Sequence, residues 1–140
     1  MSLEGEKDCD DRTTWINKFY IDYDDVKLSD IYNDMKILFK MYPDSVVELY
    51  ASGTPRHKTA VVRNIDITLR DAISFITLSR CSREYVKLVV VKGAFFMRIS
   101  PKYVSHKGRT GMIVVPEPKI IRVYRYEGGK VVFENIKRGF

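Results

Sequence analysis

The hydrophobic period switches twice within the first fifty-one residues, and that switch limits the fold most. WINKFYIDY (Trp15–Tyr23) alternates in twos and is rich in aromatics, the pattern of a strand. Leu28, Ile31, Met35, Leu38, Phe39 and Tyr42 then recur at threes and fours, which predicts an amphipathic helix over 28–42. Ser29 or an upstream Asp is its expected cap, and Pro43 stops it. Val46–Ala51 reads as a second strand ending at Ser52-Gly53.

Two readings fit the next stretch. Thr54-Pro55 suits a helix start, and Val61, Val62, Ile65, Leu69, Ala72, Ile73 and Ile76 fall at helical spacing over 55–79. That helix can also break near Asp66 and restart at Thr68, where Thr68 and Asp71 resemble a capping box. In the rival reading, the Val and Ile content makes 59–66 a strand that pairs with 45–52 around GTPRHK. Residues 85–100 (YVKLVVVKGAFFMRIS) read as a strand, with Leu88–Val91 buried on both faces and Gly93 as a bulge. A loop follows at 101–111, then strands at Met112–Val115 and Lys119–Tyr126. Gly128-Gly129 signals a hairpin turn into Val131–Ile136. The expected class is α+β, a two-layer sheet with helices on one face, in the order β-α-β-α-β-β with an extra C-terminal hairpin strand.

Charge divides the chain. Residues 1–50 hold twelve acids and six bases, and residues 51–140 hold eighteen bases and six acids. The net +6 is thus an acidic first third of about −6 joined to a body of about +12. A one-signed basic surface is the footprint of a polyanion binder. Residues 1–14 are polar and aperiodic, the composition of a disordered acidic tail, which leaves 15–140 as a single nucleic-acid-binding domain. Met1–Arg12 lacks the apolar stretch of a signal peptide, and no run of about 18 apolar residues could cross a membrane. An intracellular chain with reduced Cys9 and Cys81 is expected.

Two segments concentrate cations. In the first, Arg56, His57 and Lys58 follow Gly53-Thr54-Pro55. If a helix starts there, its unpaired N–H groups add to an anion site; if not, the basic residues are simply solvated. The second is the acid-free loop PKYVSHKGRTG. Its Lys102, Lys107 and Arg109 can reach phosphates, with Tyr103 stacking on a base and His106 assisting. Enzyme signals are poor. Neither His57 nor His106 has a carboxylate nearby in sequence to orient it, and no cofactor or metal motif is present.

From Asn17 to Ile67 the chain resembles the Alba family of small basic DNA- and RNA-binding proteins, which includes the paired small subunits of ribonuclease P and MRP. Asn17-Lys18-Phe19-Tyr20-Ile21 resembles its first strand. Val46-Val47-Glu48-Leu49-Tyr50-Ala51-Ser52-Gly53 and Lys58-Thr59-Ala60-Val61 resemble its second strand and the following helix start. Residues 101–111 resemble its nucleic-acid-contacting hairpin arm. Asp22-Tyr23-Asp24-Asp25 departs from the basic loop usual there, and Thr54 replaces the family's Arg. The resemblance implies a non-enzymatic binder of RNA more than DNA, as a homo- or heterodimer. An interaction subunit of a larger ribonucleoprotein or transcription complex and a small His-dependent ribonuclease are the alternatives.

Overall fold

The structure is a computed structural model that describes residues 14–51, 56–97 and 118–136, with the backbone of 102–105 and 112–115. The expected tail therefore lies outside the described residues, apart from Thr14.

The chain runs β1 (Trp15–Asp24), α1 (Leu28–Met41), β2 (Val46–Ala51), β3 (His57–Thr68), α2 (Leu69–Leu78), α3 (Arg83–Lys92), β4 (Lys102–Ser105), β5 (Met112–Val115), β6 (Lys119–Glu127) and β7 (Lys130–Asn135). Five strands form one antiparallel sheet in the order β1-β3-β2-β6-β7, while β4 and β5 pair with each other. The class is α+β and two-layered. One sheet face presents Phe19, Ile21, Val47, Leu49, Ala60, Val62 and Tyr124 to Ile31, Met35, Leu38 and Phe39 of α1 and to Ala72, Phe75 and Ile76 of α2. All are buried in a single apolar core, the dominant source of stability.

Three local expectations are corrected. The helix expected from residue 55 is strand β3 from His57 to Thr68, as in the rival reading, so Arg56 precedes a strand, His57 and Lys58 open it, and no helix begins there among the described residues. The reason is visible in the burial: Thr59, Ala60, Val61 and Val62 are all buried, so β3, an inner strand between β1 and β2, is covered on both faces there. A strand covered on both sides shows continuous rather than alternating apolarity, which mimics helical spacing. The restart at Thr68 holds, since Thr68 Oγ1 accepts the Asp71 N–H at 3.1 Å and caps α2.

The second correction is α3, expected as a strand. Ser82 Oγ accepts the Tyr85 N–H, and Gly93 closes the helix at φ 67° with its N–H on the Val89 carbonyl. Gly93 is thus a left-handed helix cap, not a bulge. Only Tyr85 and Val89 of α3 are buried, and Val91 is 84% exposed, so the run Leu88–Val91 is not a doubly covered strand. The third concerns the α1 cap. Lys27 holds that position without a side-chain bond, and its carbonyl accepts the Asp30 and Ile31 N–H groups.

The α2–α3 corner is tied twice. The Arg83 guanidinium donates to the carbonyls of Ile76, Thr77, Ser79 and Cys81 at 2.7–3.2 Å. Asp34, 2% exposed, accepts from the Tyr23 hydroxyl at 2.9 Å, the Arg80 N–H at 3.1 Å and Arg80 Nη1 at 3.1 Å. From this corner α3 runs along the β1 edge, where the Ser82 N–H donates to the Asp22 carbonyl at 2.6 Å.

Candidate nucleic-acid interface

The β1–β3–β2 register assembles the sheet face turned away from α1 and α2. Tyr20 and Glu48 both stand opposite Val61, and Asp22 and Tyr50 both stand opposite Thr59. Residues paired across a ladder share a face, so these side chains form one surface. Tyr20 and Tyr50 are half-buried, and Lys18 lies over the Tyr20 ring at 5.8 Å. Glu48 accepts from Arg63 Nε at 2.7 Å and from the Tyr50 hydroxyl at 3.1 Å. Burial, then the Glu48 charge, raises the Tyr50 pKa, so its hydroxyl stays protonated.

At one end of this face lies a cleft of about 410 Å³ whose lining includes Asp22, His57, Thr59, Tyr85, Met97 and Pro118. His57 Nε2 lies 2.7 Å from Asp22 Oδ1, and the Thr59 hydroxyl lies 3.5 Å from the same oxygen. The sequence offered His57 no carboxylate partner; antiparallel pairing of β1 with β3 supplies one from 35 residues away. The far wall is held by Tyr85, whose hydroxyl donates to the Phe96 carbonyl at 2.7 Å and accepts the Phe96 N–H at 3.3 Å. Burial pushes the Tyr85 pKa well up. Cys81 is a free, buried thiol pushed up to about 11 by the same cause, so at neutral pH it is not a nucleophile.

The expected site residues divide into two groups. Arg56 lies in the β2–β3 connection, exposed and 3.8 Å from Asp25. His57 and Lys58 open β3 and, as neighbours on a strand, point to opposite faces. The acidic turn after β1 thus sits against this connection, with the Asp25 N–H bonded to the Arg56 carbonyl at 2.6 Å. This end of the sheet carries carboxylates beside its cations, not a one-signed patch. Lys102 and Tyr103 lie in β4, opposite Val115 and Val114. His106, Lys107 and Arg109 lie outside the described residues. Met97 and Pro118, which flank the stretch containing β4 and β5, both line the cleft that holds His57.

Lys87 and Lys92 belong to α3. Among the described residues, no three His, Cys, Asp or Glu side chains gather as a metal would need, and no helix is long and apolar enough to cross a membrane. No family model, no curated protein and no solved structure matches this chain.

Proposed function

We propose that this protein binds nucleic acid, RNA more than DNA, through its phosphate backbone and without chemistry on it. The observation that carries this reading is the acid-free 101–111 segment, with Lys102, Lys107 and Arg109, in a stretch of chain flanked by Met97 and Pro118, both of which line the sheet-face cleft. A cationic arm beside a surface bearing Tyr20 and Tyr50 suits an unpaired strand: cations track phosphates, and rings offer platforms for bases. Unpaired bases are far commoner in RNA, which sets the preference. The β2–β3 connection contributes less, because Arg56 and His57 face Asp25 and Asp22. The reading does not lean on the Alba resemblance, whose second helix would begin where β3 runs.

Affinity for a short unstructured RNA and a DNA duplex, measured across salt, tests the proposal. Binding should weaken steeply with salt. Changing Lys102, Lys107 and Arg109 together to Gln should flatten the log–log slope for the RNA by about 2. A flat salt response, or no binding at low salt, overturns it. The RNA should be recovered intact; cleavage that disappears in His57→Gln would instead favour the ribonuclease alternative. One observation favours a protein-interaction subunit as the second reading. A groove of about 350 Å³ between α1 and α2 is bordered by Ile37, Met41 and Leu78, all exposed.

A further inference from the structure

The two long sides of the sheet end differently. β1 is overlaid by α3 and by Phe95, whose ring lies 5.4 Å from that of Phe19. Among the described residues, β7 has a strand neighbour on one side only. It contains no proline or bulge, two usual means of blunting an edge; α1 packs on its core face, where Tyr32 meets Val131 and Phe133, and its only charges are Lys130 and Glu134.

The backbone of β7 shows which groups are on offer. The Ile136 N–H donates across the hairpin to the Ile121 carbonyl at 2.8 Å. From the opposite side, the Tyr32 hydroxyl reaches the Val131 carbonyl at 3.3 Å. Since strand groups alternate, Lys130, Val132 and Glu134 turn their N–H and C=O toward β6, while Val131, Phe133 and Asn135 turn theirs outward. The Val131 carbonyl keeps a second lone pair beside the Tyr32 bond. Phe133 is 46% exposed, and its ring is fixed from within by the Arg122 guanidinium at 3.9 Å.

We propose that β7 is a self-pairing edge, joining β7 of a second copy antiparallel about a two-fold axis through Val132. Outward-facing residues must pair with one another, which leaves a short series of registers. An axis at Glu134 sets that carboxylate against its own copy, and an axis at Phe133 sets Glu134 against Val132. The axis at Val132 places Lys130 opposite Glu134 twice, Val131 opposite Phe133 twice, and Val132 opposite itself. Opposite charges and apolar pairs are then matched throughout, as an isologous contact requires. The four Lys130 and Glu134 side chains fall in non-hydrogen-bonded pairs, where cross-strand side chains come closest. The product is a continuous ten-stranded sheet, with the two cleft-bearing edges at its outer ends.

Sedimentation of the full chain without nucleic acid, over a range of concentrations, tests this apart from RNA binding. Wild type should show a monomer–dimer equilibrium. Lys130→Glu and Glu134→Lys, both on exposed side chains, should each raise the dimer Kd about tenfold or more, because each creates two like-charge pairs. The double swap should restore dimerisation to within about threefold of wild type. Hydrogen exchange should show the Val131 and Phe133 amides protected in the dimer and open in the dilute monomer. A wild type monomeric at all concentrations overturns the proposal and leaves the edge to an extended segment of another protein. A dimer indifferent to the single swaps, or a double swap no tighter than either single, overturns it as well.

Discussion

The β1 and β7 edges are made of similar residues but finished in opposite ways. β1 is bound over by the α2–α3 corner, by the Ser82–Asp22 backbone bond and by Phe95 on Phe19. β7 receives a side-chain bond at its outer rim from Tyr32. The wrapped edge is the one beside the cleft that Met97 and Pro118 line. Under the two proposals, the tied edge lies beside the arm's flanking residues and the distant edge is the one that pairs.

The largest test of this contrast is Asp34→Ala. It strips Tyr23 of its acceptor and the Arg80 backbone and guanidinium of theirs, beneath the corner that starts the wrap. Chemical denaturation should show a loss of about 3 kcal/mol. Alkaline pH should act at the same place. The Cys81 thiol, raised by burial from 9.0 to about 11, favours folding in its protonated form. Its contribution is complete below about pH 9, where the unfolded thiol is still protonated, and falls away as pH climbs toward 11. The loss is roughly 2–3 kcal/mol, and Cys81→Ala should flatten that limb of a pH–stability curve. Next comes Tyr85→Phe, which leaves the Phe96 N–H and carbonyl without their shared hydroxyl. About 1.5 kcal/mol should be lost, and amide exchange at Phe96 should quicken. The smallest effect belongs to the bare edge. Lys130→Glu changes an exposed side chain of that edge, so monomer stability should change by no more than about 0.5 kcal/mol while sedimentation shows the dimer Kd raised about tenfold.

The sequence exposed those elements whose burial is one-sided. β1, α1 and β2 each bury one face, so their periods of two and three-to-four stand out, and Gly128 and Gly129 mark the hairpin by both adopting positive φ, 61° and 79°. β3 and α3 were harder for opposite reasons. β3 is covered on both faces over Thr59–Val62, which erases its alternation. α3 buries so little, essentially Tyr85 and Val89, that its valines read as a strand. Ser82 and Gly93 cap this helix, but the β-branched content between them reads as a strand. The site was less legible still. No local pattern couples Asp22 to His57, because the pairing register alone brings them together. The same register sets the acidic turn after β1 against Arg56, which changes the electrostatic character of a segment that looks purely basic when read along the chain.

Arg83 has a consequence for how copies of this chain can combine. Its five bonds to the carbonyls of four residues span Ile76 to Cys81 and stitch the end of one helix to the start of the next. A lysine could not replace it, since only a planar fork offers donors in that spread. Exchange of C-terminal halves between molecules needs a joint that can straighten, and this one would have to surrender all five bonds first. The corner is a lock rather than a hinge, so assembly through domain swapping is closed to this fold at that point.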